Sequence, residues 1–446
     1  MILTYYKQRF FFSFIEYSKI DKARGRQWLT GMFLSVGRGS ARVSYSDLKV
    51  ENIKDHWSQR LFDTNTDTVL NQNERMELQK YVTTTIDLLG HGGGSGRSMD
   101  VRLMSPHFDP FVAEHHPFVF YLMTEWFFEV LISWIFLRWH GFSDQRSTNG
   151  IRYWYKKGSR NITNEPNESN EPNKPNKPNK QDTLPLMMFP GVGVGFLPYM
   201  PFFQTLGSER DLYLVELPFI SLRLWGGFDV YSKFKITNFI KLVCNDHNID
   251  QLHLIGHSFG STCVSMAMKD DYIRNELVHE VTLIDPPPFA MQSGDIVRDF
   301  IYDPFEDGRV YLVNREPHLV HAMMRTLVYK DVVIWPEDLK LWRNPPVVVL
   351  SGNDTIVPST KIKELLMQQR QRDSKSTSSA TKTEAARVVV VWLSDIDHGG
   401  FLFDTNVLKE VERLVLKPPR PNDDCNVLYK LVTNQRSRLP LLKRKK

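Results

Sequence analysis

Leu252-His-Leu-Ile255 runs directly into Gly256-His257-Ser258-Phe259-Gly260, and Ser261-Thr-Cys-Val-Ser-Met-Ala-Met268 follows. The first four residues read as a short buried strand, and the last eight can open a helix. Glycines two before and two after a serine permit a sharp turn that bulkier residues would block. A strand–turn–helix of this kind holds the serine on a strained corner with its hydroxyl exposed. The helix N-terminus behind it aims backbone N–H groups at developing negative charge. A serine in an ordinary tight turn is the plain alternative, and the strand before and helix after weigh against it. Ser258 is therefore the candidate nucleophile, with Gly256 and Gly260 shaping the turn.

Outward from this turn, short apolar runs alternate with helical stretches. Leu186–Phe189, Leu212–Val215, Val281–Ile284, Val347–Leu350 and Val388–Leu393 read as further buried strands. Ile236, Phe239, Ile240 and Val243 fall at helical spacing between two of them. Alternation of this kind predicts an α/β fold, a mostly parallel sheet flanked by helices, over residues 184–418. In such a sheet, functional groups converge on loops at the carboxyl ends of the strands.

Three of those loops carry chemistry. After Leu186–Phe189 comes Pro190-Gly-Val-Gly-Val-Gly-Phe196, whose glycines allow close approach of backbone to a reacting oxygen. The N–H of Val192 is the candidate donor there, partnered by the N–H of Phe259 after the serine. A nucleotide-binding reading fails because Gly195 comes one residue early and Leu197-Pro198 stand where a helix should begin. After Val347–Leu350 comes Ser351-Gly-Asn-Asp354, and after Val388–Leu393 comes Ser394-Asp-Ile-Asp-His398-Gly-Gly400. A nucleophilic serine needs a histidine to take its proton and a carboxylate to orient that histidine. Asp354 is the candidate acid and His398 the candidate base, with Asp285, at the end of Val281–Ile284, the rival acid.

Beyond these strands the chain is more varied. Residues 1–110 form an N-terminal region in which 1–90 show no sustained period and the glycine run that follows, Gly90-His-Gly-Gly-Gly-Ser-Gly96, reads as a flexible linker. The N-terminal stretch with Lys7 and Arg9 reads as a basic arm, an organelle transit segment being the alternative. Residues 111–142 hold an apolar helix starting near Pro117 and stopping at Gly141. Phe118 to Trp139 is about as long as a bilayer span. Glu125, Glu129 and Ser133 recur every four residues, making one polar stripe. Each carboxylate costs about 2.5–3.5 kcal/mol at the bilayer centre, which offsets the apolar gain. The stripe fits a helix packed on protein, or one lying in a membrane interface.

Residues 143–183 read as a disordered linker, because Asn-Glu-Pro-Asn-Lys-Pro repeats cannot bury enough surface to offset ordering entropy. About 286–345 reads as a helical cap with mobile apolar side chains such as Met323, Met324, Trp335 and Trp342, a plain packing subdomain being the alternative. Its His318 and His321 lie one helical turn apart without the companions a metal needs. About 371–386 reads as a Ser/Thr/Lys-rich surface insertion, and 419–446 as a basic tail. With 56 basic and 51 acidic residues, the charge of +5 does not mark a nucleic-acid binder. Cys244, Cys263 and Cys425 are too few and too scattered for a disulfide framework or a zinc site.

The run from Pro190-Gly-Val-Gly-Val-Gly through Gly256-His-Ser-Phe-Gly, Leu283-Ile-Asp-Pro286, Ser351-Gly-Asn-Asp354 and Asp397-His398 resembles the α/β-hydrolase superfamily. It is similar in particular to uncharacterised eukaryotic proteins with an AB hydrolase-1 domain. The resemblance spans about 184–415 and implies a serine hydrolase of esterase, lipase or thioesterase type, with no cofactor and no metal. The apolar side chains of the cap suit a hydrophobic, lipid-like ester or amide as substrate, the sparse cysteines an intracellular protein, and the striped helix a membrane surface as a further partner. At the oxyanion loop the usual His-Gly of the family is Pro190-Gly191 here. An acyltransferase on the same scaffold is the runner-up, although none of the 13 histidines is followed by Asp at the fifth position. A non-catalytic interaction protein is the third reading, since fold alone does not dictate function.

Overall fold

The structure is a computed structural model that describes residues 2–37, 41–64, 69–111, 113–159, 184–225, 228–302, 313–376, 388–419 and 428–431. The chain divides into two compact units. One comprises Met1–Thr124, Pro218–Phe234 and Pro287–Trp335, and the other Glu125–Leu217, Lys235–Pro286 and Pro336–Lys446.

The first unit contains a small antiparallel pair, β1 (Phe33–Ser35) with β2 (Val101–Leu103), and several helices. Where an aperiodic region with a basic arm was expected, helices occupy Ile2–Ile20, Lys22–Thr30, Val50–Phe62 and Gln72–Leu89. Aromatic packing carries them rather than a clean apolar stripe. Phe14 lies 4.8 Å from Trp28 and 5.0 Å from Trp57, and Phe11 lies 4.4 Å from Tyr81. The last helix opens on a capping box, Asn71 accepting from Glu74 N while Glu74 accepts from Asn71 N. The glycine run is not a loose linker: Gly93 N donates to Leu48 O, and the carbonyls of Gly94 and Gly96 accept from Val50 N and Glu51 N. Residues 287–335 of the expected cap are helical in short pieces, including Asp295–Val297 and Pro317–His321. They pack in this unit through Glu114 N to Arg315 O and Arg325 Nη2 to Asp109 O.

The second unit is a nine-stranded sheet. Its strands are β3 (Ser143–Arg146), β4 (Arg152–Lys156), β5 (Leu186–Phe189), β6 (Leu212–Val215), β7 (Leu252–His257), β8 (Val278–Ile284), β9 (Val347–Ser351), β10 (Val389–Leu393) and β11 (Leu428–Leu431). The order across the sheet is β11-β10-β9-β8-β7-β5-β6-β4-β3. From β5 onward all pairs are parallel, while the β3–β4 hairpin is antiparallel and joins β6 antiparallel. β5 to β10 are short and almost wholly buried, as continuous apolar runs require. Helices Met200–Glu209, Lys233–Asp246, Gly260–Met268, Ser359–Ser376 and Thr405–Leu416 connect them. One core joins Phe202, Phe203, Val411, Leu414 and Val415 to the sheet residues Leu186, Leu214, Ile255 and Val391. This is an α/β-hydrolase fold.

Three boundaries differ from those expected. The linker expected from 143 does not begin there, because 143–156 is the β3–β4 hairpin. Its polar edge hid it: Arg152 grips Asp144 through two hydrogen bonds of 2.8 and 2.7 Å, and Trp154 donates to Glu216. Within the expected tail, Leu428–Leu431 pairs with β10 as an edge strand. The repeat tract 160–183, the stretch 377–387 and the basic terminus lie outside the described residues. Residues 371–376 of the expected insertion continue the helix from Ser359.

The helix Phe118–Trp139 is long and apolar enough to cross a membrane, yet 24% of its most apolar stretch is buried. Its outward positions form pairs four residues apart: Phe118/Val119, Leu122/Met123, Trp126/Phe127, then Trp134/Ile135 and Trp139. Glu129 and Ser133 face inward and are buried.

Candidate active site

Ser258 follows β7 with φ of +49°, a left-handed conformation that costs an ordinary residue about 1–3 kcal/mol. Its N–H donates to Ile284 O of the neighbouring strand at 2.8 Å, and its carbonyl accepts from Ser261 N and Oγ. Those bonds tie the strained residue to the sheet on one side and the helix Gly260–Met268 on the other. The glycines are sterically required. A Cβ on Gly256 would lie 2.7 Å from Ser261 Cα, and one on Gly260 would collide with the Phe189 carbonyl.

Each candidate stands on a loop at a strand's carboxyl end. His398 Nε2 lies 2.8 Å from Ser258 Oγ, and His398 Nδ1 lies 2.7 Å from Asp354 Oδ2. The Asp354 carboxylate is fully buried, and its other oxygen accepts the N–H groups of Ile356 and Val357, both at 2.8 Å. Asp285, the rival acid, takes a different place. It has φ of +46° and spends its oxygens on Ser351 N, Ser351 Oγ and Gly399 N. It thereby pins the histidine loop to β9 while Asp354 meets the ring. Burial, then the neighbouring Asp354 charge, pushes the Asp285 carboxyl up to about 6.

Burial disfavours a charged His398, but the Asp354 carboxylate, its hydrogen bond and the Asp285 charge outweigh it. The imidazole is raised to about 9. The ligand atoms of Asp285, Asp354 and His398 lie within 4.8 Å of one another, close enough for a cation. Their oxygens already accept N–H and O–H donors and the ring spans serine and carboxylate, so the set fits a proton relay better.

The glycine loop after β5 runs against the serine. A Cβ on Gly191 would lie 2.9 Å from both Ser258 Cβ and His257 Nδ1. Val192 follows at once, and Phe259 opens the helix on the serine's other side. Farther along, Gly195 adopts φ of +52°, and Phe196 N donates to the buried Glu129. Any side chain on Gly195 would strike that carboxylate.

Two site-lining residues carried no role in the sequence reading. Tyr199 Oη lies 2.5 Å from His257 Nδ1 and accepts Gly191 N at 2.7 Å. The histidine belongs to the Gly256–Gly260 turn, but nothing in one sequence pairs it with a tyrosine 58 positions earlier. His318 and His321, by contrast, pack edge-on against Phe228 at 4.4 and 5.2 Å.

Residues 185–331 match the family model described as alpha/beta hydrolase fold. A search of curated proteins found no match. Among solved structures, a bacterial membrane phospholipase A, a virulence factor, is similar at 12% identity and TM-score 0.41, covering 68% of this chain and 94% of its own. Naproxen esterase from Bacillus subtilis is similar at 11% identity and TM-score 0.40, covering 68% and 99%. The carboxylesterase CesB from Bacillus subtilis follows at 10% identity and TM-score 0.38, covering 64% and 95%. From sheet order and matched family, this chain carries the fold of the α/β hydrolases.

Proposed function

We propose that the protein is a serine hydrolase acting on a hydrophobic, lipid-like ester. The observation that carries this reading is the unbroken series from Ser258 Oγ to His398 Nε2 at 2.8 Å and from His398 Nδ1 to Asp354 at 2.7 Å. In the reaction, His398 takes the hydroxyl proton while Ser258 Oγ bonds to the ester carbon. The carbonyl oxygen becomes an oxyanion stabilised by the N–H groups of Val192 and Phe259. Collapse breaks the ester bond, and the leaving alcohol takes the proton from His398. Water then gives a proton to the same nitrogen as its oxygen bonds to the acyl carbon, and the bond to Ser258 Oγ breaks as that oxygen takes the proton back from His398, releasing the acid. Asp354 stabilises the imidazolium throughout.

A lipid surface is the partner in this reading. The helix Phe118–Trp139 turns aromatic side chains outward and its carboxylate Glu129 inward, the reverse of a helix built to face water.

A fluorophosphonate probe, whose phosphorus is attacked by an activated serine, tests the chemistry. Wild type is expected to label at Ser258 and Ser258→Ala to stay unlabelled. Label that persists in the alanine variant places the nucleophile elsewhere. A panel of esters of graded acyl length then defines the substrate.

A further inference from the structure

Tyr199 and His257 lie beside the relay without belonging to it. Tyr199 ends the short turn Leu197–Tyr199 after the glycine loop, and His257 is the last residue of β7. Both are buried. Burial, then the neighbouring His398, holds the His257 imidazole well below its usual pKa, so the ring is neutral. Burial also raises the Tyr199 phenol, so it keeps its proton.

The hydrogen-bond directions then follow. Gly191 N–H can only donate, so Tyr199 Oη accepts it. The phenol proton is left to donate to His257 Nδ1. The imidazole proton therefore sits on Nε2, a buried atom with no hydrogen-bond partner among the described residues. This chain commits the Gly191 amide to Tyr199 even though Gly191 presses against Ser258. The next amide in the loop belongs to Val192.

We infer that Tyr199 and His257 are positioning residues: they lock the glycine loop so that Val192, rather than Gly191, presents its N–H to the oxyanion. The inference rests on the serine hydrolase reading. It assigns the pair no proton transfer, because His257 Nδ1 faces Tyr199 rather than Ser258. The lock acts on an interaction that grows in the transition state, so its loss lowers kcat more than it changes KM.

Tyr199→Phe is the sharpest test. It keeps the ring stacked on Phe203 at 5.5 Å and removes both hydrogen bonds. On a short activated ester, kcat is expected to fall about 10–100-fold, with KM within about twofold and the pH profile in place. His257→Asn keeps an acceptor near Nδ1 and is expected to retain more activity than His257→Leu. A Tyr199→Phe enzyme with wild-type kcat, or a loss confined to KM, overturns the inference. Equal losses in the Asn and Leu variants overturn the part assigned to His257; if the Leu variant does not fold, Tyr199→Phe still decides. These outcomes leave the hydrolase reading standing, since they require an active wild type. A wild type that neither turns over ester nor takes the fluorophosphonate label brings down both.

Discussion

At His398 the electrostatics of the site bear directly on turnover. Asp354 and Asp285 raise its imidazole above the usual 6.5, to about 9. A base must be unprotonated to accept the serine proton, so turnover rises as pH climbs through that value. The acid limb of kcat/KM is therefore expected above pH 6.5. Asp354→Asn removes the dominant raising charge, so the limb should shift to lower pH while kcat falls about 10⁴-fold. Asp285→Asn acts differently. An amide NH₂ would face the donors Ser351 N or Gly399 N, leaving a buried donor unsatisfied at about 1–3 kcal/mol. Its main effect is expected on melting temperature, with the smaller loss of rate. A pH–rate series on the two variants checks this, and a larger rate loss for Asp285→Asn would reassign the acid.

At the scale of the element, the helix Phe118–Trp139 packs with its polar residues inward and its aromatic ones outward. Thr124, Glu129 and Ser133 are buried while Trp126, Phe127, Trp134 and Trp139 face outward. A span would bring the first carboxylates of the stripe toward lipid, but Glu129 is occupied with Phe196 N. A core helix would not leave three tryptophans exposed. Arg138, 5.3 Å from the Trp134 ring, suits the headgroup boundary. Wild type is expected to float with phosphatidylcholine vesicles with a blue-shifted tryptophan emission, and Trp126→Glu/Trp134→Glu to lose both. Turnover of a soluble ester should be unchanged. Failure of wild type to float removes the lipid partner. Loss of a dimer in the double variant would assign the face to a second copy of the chain, and resistance to alkaline carbonate would make the helix a span.

On the scale of the whole molecule, the sheet register says what the chain between β4 and β5 has to do. Lys156 and Leu186 both pair with Leu212, from opposite sides of β6. Their backbones are two strand spacings apart, about 10 Å. Deleting residues 160–182 leaves six residues, which reach about 20 Å. The deletion is therefore expected to change the melting temperature by no more than about 2 °C, within ~1 kcal/mol, with ester turnover intact. A larger drop would show that the tract contributes to the folded state. The sequence by itself determined the parallel strands from β5 to β10, the serine turn, and the chain order of the candidate serine, acid and base. Buried parallel strands need continuous apolar runs, and a strained turn needs its glycines, so both leave local signals. Only the tertiary structure decided what depends on partners far along the chain. It set Asp354 on the imidazole and Asp285 on the loop behind it. It joined Tyr199 to His257, turned Glu129 inward, and gave the polar hairpin β3–β4 a sheet edge to complete. Those outcomes follow from hydrogen bonds and packing between segments tens to hundreds of residues apart, which no local pattern encodes.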